Sequence, residues 1–429
     1  MLSLIEEMKQ GPEAFPALNE KFETAKQNLL RETKNYRLDT PYEVASYNSR
    51  LILEERVWYL NDYVNEMEGE YAERNPLTMA ECGQIAEECL TGRHKAEVLC
   101  MGNIDEKGAL EACKVIEDHF FSQKISRPLS EAEIPMFRSL KLPTREEATH
   151  IFGTDVLADG RRKVPLVFQE LAFSDSEENN AIEYIIQTGS ELELEYEGLA
   201  FLELVGHVSY NSAFNQLRTK EQLGYIVSTF ARKTTGGGWG LSVVVQSSNS
   251  IPEVLEDRVE NWLKLFRAEL EEMEPENLAM EAAAIVSQLK ERDTKLSQEV
   301  TAFWGEIINT ETYGSRLQQP SFDRLERLAD ELTVQDGSKS ATTMSGNKRR
   351  TPEELKKQLL EFVDRYISAD SPTRRAMSAR VYNQTNKAMF DANLGKPGVL
   401  ASFEDIRHVK QFLSSWPLAP YWRKDDASQ

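Results

Sequence analysis

A chain of 429 residues, 40% hydrophobic and 28% charged, has the material for two or three globular domains with a substantial core. Acidic side chains outnumber basic ones 71 to 50, and the net charge of −21 argues against broad binding of nucleic-acid phosphates while favouring cationic ligands in a salt-dependent way. No run is long and apolar enough to span a bilayer, and Met1 to Gln10 lacks the basic-then-apolar pattern of a secretory signal, so neither membrane attachment nor export is expected.

The opening third reads as helical. Between Phe15 and Tyr36, the residues Leu18, Phe22, Ala25 and Leu29 recur on one helical face. The pattern restarts at Pro41 and runs from Tyr42 to about Met67. Thr78 and Glu81 have capping-box spacing for a helix through Leu90. Cys82 and Cys89 lie seven apart in it, as small core residues would. With Cys100 and Cys113 they form no C-x-x-C pair, which points to a reducing compartment and a cytoplasmic protein. Glu97 to Met101 is a β-prone run closed by Gly102-Asn103, and Asp105 opens a helix with Ala109, Cys113, Ile116 and Phe120 on one side. A layered α+β domain normally begins with strands. Residues 1–122 have few, and read as a domain lacking its opening strands.

Residues 123–135, polar and carrying Pro128 and Pro135, read as a linker. A second domain, 136–429, opens with a cluster of expected strands: Phe137 to Leu142, Ala148 to Gly153, Val164 to Ala172 and Ala181 to Thr188. A long helix from about Leu194 to Leu217 follows, with Phe201, Leu204, Val205 and Val208 on its buried side. Tyr225 to Arg232 and Trp239 to Ser247 flank Thr234-Thr235-Gly236-Gly237-Gly238 and predict a hairpin. Ser250 and Glu253 have capping-box spacing for a helix whose stripe is Leu255, Val259, Trp262, Phe266 and Leu270. Pro275 starts a helical stretch expected to reach Asn309. Residues 333–350, rich in Ser, Thr, Gly and Lys, read as a disordered insertion. Helix resumes from Pro352 to Ile367, and Arg375 to Asn383 is expected as a last strand.

Catalytic chemistry is sparse. The five histidines, His94, His119, His150, His207 and His408, are too far apart for H-E-x-x-H or H-x-x-E-H, the spacings that put two imidazoles on one helix face around zinc. There is no G-x-S-x-G elbow and no P-loop, and Gly236 to Gly240 lies between strands where it opens no helix. The most informative segment is Phe214 to Val227, F-N-Q-L-R-T-K-E-Q-L-G-Y-I-V, at the junction of a long helix and a strand. Arg218 offers planar donors suited to a peptide carbonyl or carboxylate, and the Tyr225 hydroxyl can donate to an oxyanion. The plainer alternative pairs Arg218 with Glu221 and packs the Tyr225 ring in the strand.

This segment closely resembles the signature in the C-terminal half of the M16 (inverzincin) metallopeptidases of the insulin-degrading type. Phe303-Trp304-Gly305-Glu306-Ile307-Ile308 resembles their Y/F-W-G-E-I-I helix. Leu241 to Ser247 followed by Ile251 to Leu270 is similar to their strand and following helix. Gly102-Asn103-Ile104 is similar to the turn ending the preceding domain, and Phe412 to Trp422 to the closing segment.

The resemblance implies an α+β fold of tandem M16-type (LuxS/MPP-like) domains, each a mainly antiparallel sheet packed with helices. Four such domains in two bowl-shaped halves surround a substrate chamber. The N-terminal half holds zinc through H-x-x-E-H and a downstream glutamate. Residues 1–122 then correspond to part of the third domain and 136–429 to the fourth. The implied role is the substrate-binding, non-catalytic half of a zinc metalloendopeptidase that degrades peptides, with no catalytic residue and no metal ligand on this chain. Arg218 and Tyr225 are implied to reach the bound peptide and help stabilise its tetrahedral intermediate, with Phe214 lining the adjacent pocket. The expected partners are peptide substrates and an N-terminal catalytic half or homologous subunit, with no nucleic acid and no membrane. The second reading is a peptide-binding or scaffold subunit paired with a catalytic homologue.

Overall fold

The computed structural model describes residues 2–69, 75–118, 127–130, 133, 137–158, 160–308, 322–335 and 342–416. In order, the chain runs through α1 (Leu2–Lys9), α2 (Pro16–Asn35), α3 (Pro41–Leu53), α4 (Leu60–Glu68), α5 (Met79–Thr91), β1 (Arg93–His94), α6 (Glu106–Glu117), β2 (Arg127–Pro128), α7 (Arg145–Phe152), β3 (Leu166–Leu171), β4 (Asn180–Ser190) and α8 (Glu191–Ala213). A π-helical segment, Phe214–Lys220, leads to β5 (Ile226–Thr234), β6 (Gly238–Ser247), α9 (Pro252–Glu272), α10 (Pro275–Leu289), α11 (Leu296–Ile308), α12 (Arg324–Leu332), α13 (Pro352–Tyr366), β7 (Arg375–Tyr382), α14 (Lys387–Asp391), β8 (Val399–Leu400) and α15 (Phe403–Lys410). Most of the expected linker, His119, Phe120, residues 336–341 and the end of the Phe412–Trp422 segment lie outside the described residues.

The chain forms two compact units that interleave in sequence. One comprises Met1–Arg37, Val57–Met136 and Asp293–Ile308; the other comprises Leu38–Arg56, Phe137–Arg292 and Asn309–Gln429. Two stretches expected as single helices are therefore divided. Tyr42 to Met67 becomes α3 in one unit and α4 in the other. Pro275 to Asn309 breaks after Leu289, and α11 joins the first unit.

The first unit is helical and thinly packed. In α2 the buried residue is Leu30, against Val64 and Met67 of α4, whereas Leu29 of the expected stripe is 55% exposed. Thr78 and Glu81 do form the capping box of α5. Cys89 is exposed and Cys82 only half-buried, so they are not core residues, and all four cysteines are free thiols. Glu97–Met101 is not a strand, because among the described residues no strand lies beside it to complete a ladder. Neither α6 nor α11 has a buried residue, and Leu110 and Val115 of α6 are 61% and 70% exposed.

The second unit is built on a mixed six-stranded sheet of order β5-β6-β4-β7-β3-β8. The first three pairings are antiparallel, and β3 runs parallel to both β7 and β8. Alternation along β4 assigns the two faces. Ile182, Tyr184 and Ile186 join the main core with α8, α9, α10, α12 and α13, while Glu183 points the other way and accepts from Ser49 Oγ of α3 at 2.5 Å. The predicted stripe of α9 is buried throughout: Leu255, Val259, Trp262, Phe266 and Leu270 are at most 1% exposed. Each such side chain contributes roughly 1.5–3 kcal/mol of burial.

Local chemistry explains the departures. Ala148 to Gly153, expected as a strand, lies in α7, because Thr144 and Glu147 cap its start and Gly153 closes it at φ +70. Phe137 to Leu142 contributes only isolated bridges, Glu54 to Ser139 and Leu140 to Ser415. The Ser250–Glu253 box does not form. Ile251 caps α9, and Glu253 instead accepts from Tyr382 and Arg380. In the 333–350 stretch, residues 342–350 are tied to α12. Met344 N donates to Asp330 at 2.6 Å, Thr343 Oγ1 donates to Glu331 at 3.0 Å, and Arg350, 5% exposed, donates to the Glu331 carbonyl at 2.9 Å.

At the C-terminal end of α15, the Lys410 ammonium donates to the Glu54 carbonyl at 2.6 Å. Burial pulls its pKa down to about 8, against the opposing pull of Glu54 and Glu55. Between that value and the unfolded value of about 10.4, the unfolded chain keeps a proton that the folded chain has released. Stability should therefore rise with pH across this window. Urea midpoints at either end of it, for the native chain and Lys410→Met, check this. The expected rise is larger in the native chain; equal slopes would show that Lys410 does not couple to folding.

Candidate functional site

The junction between α8 and β5 is set by backbone geometry. The last turns of α8 widen into the π-helical Phe214–Lys220 segment, a local rarity that often marks function. The Leu223 amide donates to the Leu217 carbonyl at 3.0 Å, closing the segment. Gln222 then takes φ +54, and Gly224 passes directly against β6. A Cβ at Gly224 would lie 1.8 Å from the Gln246 carbonyl oxygen, a backbone atom that cannot yield. Gly224→Ala is expected to lower stability by about 3 kcal/mol through overpacking. A urea midpoint unchanged from the native chain would show that the junction relaxes freely.

This path brings together the three residues singled out from sequence. The Arg218 guanidinium carbon lies 4.5 Å from the centroid of the Phe214 ring and 4.5 Å from that of Tyr225. Tyr210, one turn earlier, sits 6.3 Å from Phe214. Each cation–π contact contributes roughly 0.5–1 kcal/mol at such a half-exposed position. Stacking engages the faces of the guanidinium and leaves its in-plane N–H donors unused.

The alternative pairing of Arg218 with Glu221 is not found. Glu221 accepts from Gln216 Nε2 at 2.8 Å and lies 3.6 Å from Arg258. Among the described residues, Arg218 has no hydrogen bond and no ion pair. Tyr225 is not packed in the sheet either. It sits one residue before β5, is 78% exposed, and its hydroxyl has no partner among the described residues. β5 itself is an edge strand, with β6 on one side and no described strand on the other. The site is thus a half-exposed arginine stacked on an exposed tyrosine at a sheet edge, with no hydrogen-bond partner for either among the described residues.

Sequence reasoning missed a second polar cluster, deep between α9 and the sheet. Glu253, Glu256 and Glu260 fall on one face of α9 and meet Arg374, Arg380, Tyr184 and Tyr382. Burial raises the Tyr184 and Tyr382 hydroxyls above their usual range and pulls the two arginines down, but Tyr184 and Glu260 beside Arg374, and Glu256 beside Arg380, outweigh it and hold both guanidinium groups above their usual range. This cluster is structural: the Arg374, Arg380, Glu256 and Glu260 side chains are all less than 10% exposed.

A metal site does not emerge. Among the described residues no group of three or more His, Cys, Asp or Glu is placed to hold an ion. His207 is paired with Glu281 at 3.0 Å.

Residues 204–304, which include the π-helical segment and the edge hairpin, match the domain model for PQQ synthase PqqF-like, C-terminal lobe domain 4. The human insulin-degrading enzyme is 26% identical over 426 residues, covering 97% of this chain. The peroxisomal insulin-degrading enzyme-like 1 of Arabidopsis thaliana is 26% identical over 395 residues, covering 91%. The chain spans 36% and 35% of those two proteins, about a third of their length. The crystal structure of pitrilysin superposes with a TM-score of 0.65 at 17% identity, over 96% of this chain and 37% of pitrilysin, and shows the shared fold. The chain is similar to the insulin-degrading enzymes over about a third of their length, its residues 204–304 match a C-terminal lobe domain model, and it shares the fold of pitrilysin.

Proposed function

We propose that this chain is the peptide-binding, non-catalytic half of a zinc metalloendopeptidase of the insulin-degrading type, corresponding to part of the third and all of the fourth M16 domain. The observation that carries the reading is the Arg218–Tyr225 pair, held by stacking and with its donors unspent. A peptide backbone laid along the β5 edge would offer carbonyl oxygens to the in-plane N–H groups of Arg218 and to the hydroxyl of Tyr225. Phe214 would fix the guanidinium plane and line the neighbouring side-chain pocket. None of these groups is a nucleophile or a general base near neutral pH, so this half orients and stabilises and does not cleave.

Zinc, in this reading, belongs to the catalytic half. The five histidines of this chain have no H-x-x-E-H spacing, and among the described residues no group of three or more His, Cys, Asp or Glu is placed to hold the ion. The partner is a catalytic M16 half or a homologous subunit. Support comes from the uncovered apolar residues of α6 and α11, such as Leu110, Val115 and Leu296, which suit a protein surface. Free thiols at all four cysteines suit a cytoplasmic setting, and no described helix is long and apolar enough to cross a membrane.

The test is a peptide-cleavage assay with zinc, run on this chain alone and then mixed with a catalytic half carrying H-x-x-E-H. Cleavage is expected only in the mixture. Zinc-dependent cleavage by the chain alone would overturn the reading.

A further inference from the structure

A groove of about 610 Å³ lies in the same unit, with Tyr210, 6.3 Å from Phe214, on its lining. One wall is α8, through Glu203, Gly206 and His207; the other walls include Phe230 and Ala231 of β5 and Leu289 of α10. Two features of this groove are unspent. The first is backbone. Among the described residues β5 has no strand on its outer side, and such an edge suits the addition of one more extended segment. Gly206 brings the helix close enough to form a floor: a Cβ there would lie 3.0 Å from the Ala231 amide nitrogen.

The second feature is charge. Glu203 lines the groove, and among the described residues it has no hydrogen bond and no ion pair. Burial pushes its carboxyl up, with Arg324 pulling the other way, while the Arg324 guanidinium itself is bonded to Glu191 at 2.7 Å. A half-buried carboxylate without a cation is costly, and a cation from outside would satisfy it. His207 does not serve, because Glu281 already holds it. The chain's net charge of −21 adds to the attraction of a basic group.

We infer that this groove is a specificity subsite for a basic side chain, in which an extended peptide adds to the β5 edge and places a lysine or arginine on Glu203. The inference rests on the peptide-binding reading above and names the side chain that reading leaves open.

The experiment is fluorescence anisotropy on the full chain with three labelled decapeptides. They are identical except for one central residue, which is lysine, norleucine or glutamate. The lysine peptide is expected to bind about tenfold more tightly than the norleucine peptide, as one charge-assisted hydrogen bond to a half-buried carboxylate allows. The glutamate peptide should be weakest. Glu203→Gln, nearly isosteric, should abolish the lysine preference while leaving norleucine binding unchanged. Equal affinity for lysine and norleucine on the native chain, or a preference that survives Glu203→Gln, would overturn the inference. If binding in that case still depends on Arg218, the peptide-binding reading stands without it; if no peptide binds at all, both fall. Self-association of the chain that Glu203→Gln abolishes, with no discrimination among peptides, would assign the groove to a second copy and overturn the inference too.

Discussion

Replacing Arg380 with leucine is expected to destabilise the protein by about 3–5 kcal/mol, the loss typical of removing one partner from a buried ion pair. Arg380 lies on β7 in the middle of the sheet. Its Nε and Nη2 donate to the two oxygens of Glu256 at 2.6 and 2.7 Å, and Nη1 donates to Glu253 at 3.1 Å. The Arg380 and Glu256 side chains are 4% and 1% exposed. Leucine would leave the Glu256 carboxylate desolvated and unpaired, with no cation to compensate its burial. Adding Glu256→Leu should recover most of the loss, because the orphaned charge is then gone. Urea melts of the native chain, the single and the double variant decide the matter. A single variant within about 1 kcal/mol of the native chain would show that water reaches Glu256.

That cluster also marks the limit of what the sequence discloses. The α9 stripe from Leu255 to Leu270 is legible because apolar spacing alone defines a buried face. The β5–β6 hairpin is legible because two β-rich runs flank glycines, and Gly236 and Gly237 do take positive φ, +93 and +80. Pairing is not legible. Nothing local to Glu253, Glu256 or Glu260 says that they face arginines more than a hundred residues away, and among 71 carboxylates they look like a solvated helix face. The same blindness covers residues 342–350. Their polar composition suggests disorder, but Arg349 and Arg350 find carboxylates on α12 and α8. At α7, caps at Thr144 and Gly153 overrule a β-prone run. The interleaving of the two units is equally silent in the sequence, since the breaks after Leu53 and Leu289 carry no glycine or proline.

The candidate site was legible for a different reason. Arg218 and Tyr225 were selected by resemblance, and the side-chain chemistry alone left pairing with Glu221 as the simpler outcome. The structure removes that alternative by turning the chain: the π-helical segment rotates Arg218 onto Phe214, while Gln222 and Gly224 carry Tyr225 to its other ring contact. Neither rotation has a sequence signal. Glu203 had none either, because one glutamate inside an apolar helical stretch looks like any other until its surroundings are seen.

In the mixed cleavage assay, Tyr225→Phe is expected to lower kcat by about 10²–10³, the cost of removing one donor to a developing oxyanion. KM should change little, because the hydroxyl is proposed to act on charge that appears only in the transition state. The substitution should be silent in folding. The ring is 78% exposed and its hydroxyl has no partner among the described residues, so the urea midpoint should hold to within about 0.5 kcal/mol. Arg218→Lys supplies the contrast. It keeps the charge but loses the planar donors and the stacking on Phe214 and Tyr225, so a peptide held by two in-plane N–H groups should bind more weakly and KM should rise. A kcat effect at Tyr225 joined to a KM effect at Arg218 assigns one residue to the reacting carbonyl and the other to peptide alignment. If Tyr225→Phe leaves the mixture fully active while Arg218→Lys still weakens binding, the chain is a peptide-holding scaffold. In that case the oxyanion is stabilised by the catalytic half, and the arginine on the π-helical turn is the working group of the site.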